Sequence, residues 1–453
     1  MANIFRELME AAERSEKQTR IRQSGSTRDG GNEKIRSGQS YLYKLRGMES
    51  EVIEIRFKRN VRGAPLRRAL DETLRRYPYF CTRLLEQDGD FYIVQNDVSP
   101  VVRRTRAFVR LGGIECGYHL IDVTYFGCSV YVSFHHALCD GRGIKPFVET
   151  LLWYYCAFAY GRREPVEGVR LAGEPLLEGE TADPFMQPYA YDGSKKFVEF
   201  SRDAFALPLP DAQADAADYR YEVVIPHGSF MEVCHRENAT PVILLSLLMS
   251  AAIAALHPDF DKPIHANIAT DMREALGCPN TFKNCVRSMI LPYDRDSGRL
   301  PLREQATRYR AILNAQRDPD YCRREANAML ALFDKLDEQP SYKEKQALMS
   351  FFEGMLLHTY VVSYLGRFIL GDNAGCIDTI HLYNSGTTGL GINMIDCGES
   401  FVLDFKQSFR SDSYVSAFLA EAERVGLRCR ASGAIAFSTP TDKLIRRKKT
   451  ENG

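Results

Sequence analysis

The stretch HHALCDG, residues 135–141, decides the fold of this chain. It follows a strand-like run, HLIDVTYFGCSVYVSFHH, and precedes the segment GRGIKPFVETLLWYYCAFAYG, in which apolar residues such as Ile144, Val148 and Leu151 recur at helical spacing. Gly161 is placed to end that helix. We therefore predict that residues 135–141 lie where a strand gives way to a helix.

Two adjacent histidines in this position suggest chemistry. Neighbouring side chains of a strand point to opposite faces, so only one of His135 and His136 enters a given cavity unless the backbone kinks. A neutral imidazole there can act as a general base that removes a proton from an attacking hydroxyl or amine. A packed, hydrogen-bonded pair of histidines beside an ordinary Asp-Gly turn is the alternative interpretation.

The two residues that end the motif have several interpretations. Asp140 could orient the histidine, cap the helix at Arg142 or Gly143, or bind an arginine elsewhere. Gly141 removes a side chain beside the reacting centre, so that its N–H can face an oxyanion. A covalent acyl-enzyme would need a separate nucleophile, and the sequence has no G-x-S-x-G elbow to supply a serine. This favours direct, one-step transfer of an acyl group.

Outward from the motif, the sequence alternates strand-like and helical patterns. The run VIEIRF (52–57) alternates apolar and charged residues, which predicts a half-buried strand. Leucines at spacing four, beginning with Leu66, predict a helix, and the Asp-Gly pair at 88–89 predicts a hairpin. After a softer stretch at about 162–218, the second half continues with YRYEVVIP, a buried helix (241–257), PIHANIAT, four short strand-like runs and a closing helix. This order predicts an α/β fold.

Composition excludes several classes of protein. A chain of 453 residues, 45% of them hydrophobic, is expected to form two domains. Lys plus Arg and Asp plus Glu both number 59, so no basic field attracts nucleic acid or anionic membrane. The twelve cysteines are scattered singly, which favours reduced buried thiols over disulfides or zinc. No run is long enough to span a membrane and no secretory signal begins the chain, so a soluble cytoplasmic protein is expected.

HHALCDG resembles the HHxxxDG signature of chloramphenicol acetyltransferase, the condensation domains of peptide synthetases, alcohol acetyltransferases, wax ester synthases and polyketide-associated acyltransferases. LRRALDETLRRYPYFCTRLLEQDGDFYIV is similar to the opening helix and hairpin of that superfamily. NIATDMREALG and FKNCVRSMILPY resemble its Arg-then-Asn passage, here Arg273 and Asn284, and VVSYLG resembles a late strand carrying Ser363. Only HHALCDG is highly specific among these segments.

The resemblance implies two chloramphenicol acetyltransferase-like α/β subdomains arranged in a V, with a central tunnel that carries the motif. It implies that the base is His136, which takes a proton from a small-molecule or lipid-like acceptor while a thioester enters from the other side. That thioester, acyl-CoA or carrier-bound, is a co-substrate, and no tightly bound cofactor and no metal are expected. The expected organisation is a flexible leader (1–37), followed by an N-terminal subdomain (38–175) and a C-terminal subdomain (176–453) that includes the crossover and the basic tail.

By position, the resemblance assigns the site residues as follows. Asp140 supports geometry within the catalytic group, and Ser363 is a candidate for an oxyanion or acceptor contact, with a plain strand serine as the alternative. The catalytic candidates are His136, Asp140 and Gly141, and the substrate-binding candidates are His135, Ser363 and Asn284.

The chain also departs from the family pattern. The plant-type DFGWG motif is absent, and the nearest run is DFKQS at 404–408. No adenylation or carrier module is recognised, so we expect a free-standing O- or N-acyltransferase. The alternative is a non-catalytic module that keeps the shape and binds a carrier protein or another partner.

Overall fold

A computed structural model describes residues 33–44, 50–87, 89–199, 203–208, 218–353, 358–384 and 389–437. These residues form a mixed α/β fold with three sheets, which confirms the predicted fold class. Residues 1–32 of the predicted leader lie outside the described residues. Glu33 and Lys34 already form a strand, so the fold begins ahead of the predicted boundary at residue 37.

The elements of the first half follow the predicted order. They are β1 (Glu33–Lys34), a 3-10 turn (Gln39–Tyr43), β2 (Ser50–Phe57), α1 (Gly63–Arg76), β3 (Thr82–Gln87), β4 (Asp90–Gln95), β5 (Arg103–Arg104), β6 (Ile121–Phe126), β7 (Ser129–His135) and α2 (Gly141–Tyr160).

The second half begins after an irregular crossover. Its elements are β8 (Asp218–Pro226), α3 (His227–Arg236), α4 (Pro241–Leu256), β9 (Ile264–Asp271), β10 (Val286–Tyr293), α5 (Arg295–Gly298), α6 (Leu302–Gln316), α7 (Pro319–Asp337), α8 (Tyr342–Glu353), β11 (Tyr360–Arg367), β12 (Ile377–Asn384), β13 (Leu390–Asp396), β14 (Ser400–Gln407), α9 (Ser413–Arg424), β15 (Arg430–Ala431) and β16 (Ile435–Phe437).

Helices α1 and α2 pack against each other, and their apolar residues share one core with those of β2, β6 and β7. Leu66 and Leu70 of α1 are buried, and Pro78 follows the end of that helix, as predicted. Helix α2 is buried along most of its length and ends at Gly161, whose φ of 75° suits a residue without a Cβ. The strand-to-helix prediction for residues 135–141 is thus confirmed.

The hairpin predicted at residues 88–89 is present as the antiparallel pair β3 and β4, although residue 88 itself lies outside the described residues. These two strands form a three-stranded sheet with β1 in the order β1-β4-β3. The N-terminal strand therefore closes one edge of the hairpin.

The two larger sheets hold the two halves of the chain together. The five-stranded sheet has the order β12-β2-β7-β6-β5, and the eight-stranded sheet contains β10-β9-β11-β13-β14-β8-β15, with β16 also paired to β8. Strand β12 comes from the predicted C-terminal subdomain, yet it pairs antiparallel with β2 from Asn384↔Glu51 to Ile377↔Phe57. A strand from the second half of the chain therefore completes the sheet of the first half.

Candidate active site

The backbone leaves the sheet at the motif, which is what allows consecutive histidines to face different surroundings. Strand β7 ends at His135, residues 136–138 form a turn, and α2 begins at residue 141. The carbonyl of His135 accepts hydrogen bonds from the N–H groups of Leu138 (2.9 Å) and Cys139 (3.4 Å). This turn supplies the kink that separates the two imidazoles.

His135 is built into the turn. Its Nδ1 accepts a hydrogen bond from the N–H of Ala137 at 3.0 Å. Burial, reinforced by the neighbouring His136 and Arg110, lowers the pKa of His135 to about 3. For the predicted substrate-binding role of His135, only Nε2 is available, because Nδ1 already accepts a hydrogen bond within the turn.

His136 is largely buried, with 10% of its side chain exposed. The ring of Tyr41 stacks on the imidazole at a centroid distance of 4.5 Å and an interplanar angle of 20°. Phe134 contacts the imidazole edge to face at 5.9 Å. These rings fix the plane of the imidazole while part of it stays accessible.

Asn284 and Glu51 approach the two ring nitrogens of His136. Asn284 Nδ2 lies 3.4 Å from His136 Nδ1 and donates to the His136 carbonyl at 3.2 Å. Glu51 Oε1 lies 3.3 Å from His136 Nε2. The structure thus brings the predicted Asn284 to the predicted histidine, and it adds a carboxylate that the sequence analysis did not single out.

Glu51 is a buried carboxylate with compensating partners. Burial opposes its ionisation, but the proximity of His136 and Lys406 outweighs burial and holds the pKa of Glu51 below its usual value. Asn384 Nδ2 donates to Glu51 Oε1 at 3.3 Å, and the ammonium of Lys406 donates to Asn384 Oδ1. A charged Glu51 is therefore the form that this environment supports.

Asp140 stabilises the architecture of the motif. Its Oδ1 accepts from the N–H of Gly143 (2.7 Å) and from Arg273 Nη2 (2.8 Å), and its Oδ2 accepts from the N–H of Cys285 (2.8 Å). Of the roles left open by the sequence, capping at Gly143 and binding an arginine are the ones observed. Asp140 thus ties the start of α2 to the segment that carries Asn284.

Among the glycines in and near the motif, Gly38 and Gly143 lie closer to neighbouring backbone atoms than Gly141 does. A Cβ at Gly143 would lie 1.8 Å from the Phe282 carbonyl oxygen, and one at Gly38 would lie 2.5 Å from the His136 carbonyl oxygen. Gly38 also has a φ of 72°, which favours glycine. At Gly141 the nearest contact of a Cβ would be a leucine side-chain methyl at 3.0 Å, so the predicted need for glycine there is weaker.

Ser363 lies in β11, the strand between β9 and β13 in the larger sheet. It is half-buried and pairs with Asn393 and Ala269. Leu365, two residues further along the strand, is the leucine that would contact a Cβ at Gly141. The structure therefore places the Ser363 strand beside the motif and gives Ser363 no direct contact with His136.

The segment that precedes β2 passes over His136 and is anchored on both sides. Ser37 Oγ donates to the Asn284 carbonyl at 2.5 Å, and Gln39 Nε2 donates to Asp337 at 2.7 Å. The Tyr41 hydroxyl bonds to the Asn284 side chain, and burial raises the pKa of Tyr41, with the charges of Glu51 and Asp140 adding to the effect. We call residues 36–44 the N-terminal strap.

A second cluster of polar groups lies between the two large sheets. Glu222, His381 and Asp404 offer three ligand atoms within 4.8 Å of one another. Arg220 binds Asp404 at 3.2 Å and Glu222 at 2.8 Å, and Arg56 also binds Glu222. Because guanidinium groups already neutralise these carboxylates, we interpret the cluster as an ion-pair network that joins the sheets.

Two surface pockets of about 440 and 420 Å³ lie away from the motif. The first is lined by residues such as Phe197 and Arg324, and the second by residues such as Arg67 and Tyr125. Neither of these two pockets is lined by His136.

Membrane-spanning length and hydropathy are not reached by any single helix in the described parts of the chain. Helices α3 and α4 meet that criterion only when counted together, and they are bent by 84° relative to each other. Helix α4 is buried in the core of the second half.

Sequence reasoning missed two residues beside the imidazole, Glu51 and Tyr41. The available signal for Glu51 was an acidic residue one position ahead of the apolar VIEIRF strand, and that signal alone does not distinguish a buried carboxylate from a solvated one. Tyr41 was given no role from the sequence.

Searches for related proteins gave matches through structure alone. No family model matches the sequence, and no curated protein matches it. Polyketide synthase associated protein 5 from Mycobacterium tuberculosis superposes with a TM-score of 0.56 at 13% identity, over 88% of this chain and 99% of that one. F. graminearum TRI101, crystallised with coenzyme A and T-2 mycotoxin, gives 0.56 at 12% identity, over 88% and 100%.

Condensation domains are also among the similar structures. The condensation domain of the Monacolin K polyketide synthase MokA gives a TM-score of 0.51 at 13% identity, over 87% of this chain and 96% of that one. The first condensation domain of the CDA synthetase gives 0.52 at 15% identity, over 84% and 91%. The chain therefore has the chloramphenicol acetyltransferase-like fold of condensation domains, which confirms the predicted resemblance at the level of the fold.

Proposed function

We propose that this protein is an acyltransferase that moves an acyl group from a thioester to a hydroxyl or amine acceptor, with His136 as the general base. The observation that carries the proposal is the position of this imidazole. It stands at the strand-to-helix turn of the HHxxxDG motif, held by side chains from three separate segments, with 10% of its side chain exposed.

The reaction needs only proton transfer and positioning from the protein. His136 takes the proton of the acceptor O–H or N–H while the acceptor's electron pair attacks the thioester carbonyl carbon. The resulting tetrahedral oxyanion collapses, the C–S bond breaks, and the leaving sulfur receives the proton from the imidazolium. Backbone N–H groups at the start of α2, with Gly141 first, and the Ser363 hydroxyl are the proposed oxyanion or acceptor contacts.

Acyl-CoA is the donor that we favour, because one of the similar structures, TRI101, holds coenzyme A. A carrier-bound thioester is the second candidate, because condensation domains share the fold. Acceptors are proposed as small molecules, lipid-like molecules included, and a cytoplasmic location stays part of the proposal.

The test is acyl transfer by the purified 453-residue chain. A panel of acyl-CoAs is incubated with alcohols and amines of increasing size, and both thiol release and acylated product are measured. His136→Ala is compared with the same substitution at His235, an exposed histidine of α3. We expect His136→Ala to slow transfer by roughly 10²- to 10⁴-fold and His235→Ala to leave it unchanged.

Two results would overturn the proposal. One is a folded His136→Ala variant that turns over like the unmodified protein. The other is thioester stability under all conditions, combined with a stoichiometric protein partner whose binding does not depend on His136. The second result would establish the non-catalytic module instead.

A further inference from the structure

One end of the five-stranded sheet carries a group of exposed arginines, which we call the basic patch. All of them are exposed, and none forms an ion pair with a described residue; they are Arg59, Arg62, Arg67, Arg68, Arg104 and Arg106. The segments that carry them, residues 58–68 and 101–107, contain no acidic residue. A net charge of zero over the whole chain is therefore compatible with a strong local concentration of positive charge.

Backbone contacts bring the segments of the basic patch together. The N–H of Val61 donates to the carbonyl of Gly127 at 2.8 Å, which places the loop before α1 against the turn between β6 and β7. Arg104 pairs with Tyr125 where β5 runs parallel to β6. The pocket of about 420 Å³ lies where these segments meet, lined by Gly63, Ala64, Arg67 and Arg68 of α1 and by Val102 and Tyr125.

Two apolar side chains are exposed within the basic patch. Val101 is 59% exposed and Phe126 is 40% exposed. The guanidinium of Arg106 lies over the Phe126 ring, 4.6 Å from its centroid. Single exposed apolar residues are ordinary, but these two lie among cations that are not neutralised by described carboxylates. The surface therefore offers positive charge and apolar contact side by side.

We propose that the basic patch docks this protein on an anionic lipid surface. At such a surface the guanidinium groups lie near lipid phosphates, and each cation strengthens binding about fivefold. The apolar side chains reach the boundary between head groups and acyl chains. A nucleic acid would also attract the arginines, but its phosphate backbone offers no apolar layer to an aliphatic side chain such as Val101.

The basic patch lies at the opposite end of β7 from His136. The seven residues of β7, Ser129–His135, rise about 3.3 Å each, so roughly 20 Å separate the two ends. Docking through the basic patch therefore leaves the imidazole outside the lipid contact. The docking surface does not depend on the proposed acyltransferase function, because binding to vesicles is measured without turnover.

The test is co-sedimentation of the 453-residue chain with two kinds of vesicle, phosphatidylcholine alone and equal parts of phosphatidylcholine and phosphatidylglycerol. The patch variant combines Arg59→Gln, Arg67→Gln and Arg104→Gln. The matched control removes three exposed arginines from a region that also contains Asp296 and Glu304, and it combines Arg299→Gln, Arg303→Gln and Arg308→Gln. Both variants lose the same charge.

We expect the unmodified protein to bind the anionic vesicles and not the neutral ones, and to be released at high salt. The patch variant should bind the anionic vesicles about 10²-fold more weakly, since three cations are lost, and the control should stay within about twofold of the unmodified protein. Equal losses in the patch variant and the control, or equal binding to the two kinds of vesicle, refute the proposal.

Val101→Ser separates a lipid surface from a nucleic acid, because it removes an apolar side chain and no charge. It should weaken binding to anionic vesicles by about threefold or more. Unchanged binding by Val101→Ser refutes the lipid contact. Binding of the unmodified protein to double-stranded DNA, with none to anionic vesicles, would assign the basic patch to nucleic acid instead.

Two further measurements keep the docking surface and the proposed function apart. His136→Ala should bind vesicles like the unmodified protein, and the patch variant should keep acyl transfer between water-soluble substrates. If the patch variant does not fold, hydrogen exchange of the unmodified chain with and without anionic vesicles replaces it. Protection of residues 58–68 and 101–107 by the vesicles supports the proposal, and protection confined to other segments refutes it.

Discussion

Asp140 ties the motif to the second half of the chain, and its replacement by alanine should be costly. Arg273 is 2% exposed, so the Asp140→Ala variant leaves its guanidinium buried without this carboxylate. The N–H groups of Gly143 and Cys285 lose their acceptor as well. We expect the free energy of unfolding to fall by about 3–5 kcal/mol, the cost of removing one partner from a buried ion pair.

Several remaining contacts limit this loss. Arg273 still donates to the carbonyl of Thr281 at 2.8 Å, to the carbonyl of Lys283 at 2.7 Å and to Asp271 Oδ1 at 2.8 Å. The unpaired N–H groups would each cost about 1–3 kcal/mol in isolation, but these terms overlap with the loss of the ion pair and are not additive.

Urea unfolding followed by circular dichroism measures the effect, together with Arg273→Met and the double variant. If the ion pair dominates, the double variant should be more stable than the sum of the two single losses predicts, because no unpaired charge stays buried. A loss below about 1.5 kcal/mol for Asp140→Ala, or strict additivity in the double variant, would refute this account of Asp140.

Three further outcomes are expected. Tyr41→Ala should reduce kcat/KM for acyl transfer at least several-fold more than Tyr41→Phe does, because only the alanine variant loses the ring stacked on His136. Equal losses in the two variants would show that the stack does not restrain the imidazole. Gly143→Ala should lower the melting temperature, with a loss of about 1–3 kcal/mol from the clash with the Phe282 carbonyl, and an unchanged melting temperature would contradict the packing described. His135 has a folded-state pKa of about 3, so below pH 6.5 the unfolded chain binds a proton that the folded chain does not, and stability should fall as pH falls from about 6.5 to 3. His135→Gln should flatten urea midpoints across that window, and an unchanged slope would argue against a buried neutral imidazole.

Local patterns in the sequence predicted most strands and helices of the fold. Strand-like runs of apolar residues identified β2, β6 and β7, and the spacing of Leu66 and Leu70 identified α1. The half-buried strand expected at 52–57 is wrong in one respect, because β2 and β7 are buried on both faces. Helices α6, α7 and α8 were not predicted: they lie partly exposed at the surface, and their polar faces dilute the apolar pattern.

The candidate site could be predicted only in part. His136 and Asp140 lie in one short motif, so their types and spacing were visible, and Asn284 came through resemblance. The partners Glu51 and Tyr41 are far from the motif in sequence, and their contact with His136 depends on strand register and on the path of the strap. Asp140 finds Arg273 by the same kind of long-range packing, which residue spacing does not reveal.

Strand β12 has a consequence for synthesis on the ribosome. β2 is translated early, but its partner on one side, β12, ends only at Asn384. At roughly 5–20 residues per second, the N–H and C=O groups on that side of β2 wait for tens of seconds before their partners emerge. An unpaired edge of this kind attracts other strands, so the nascent chain is exposed to aggregation during this interval, and a fragment ending near residue 175 would keep that exposure permanently.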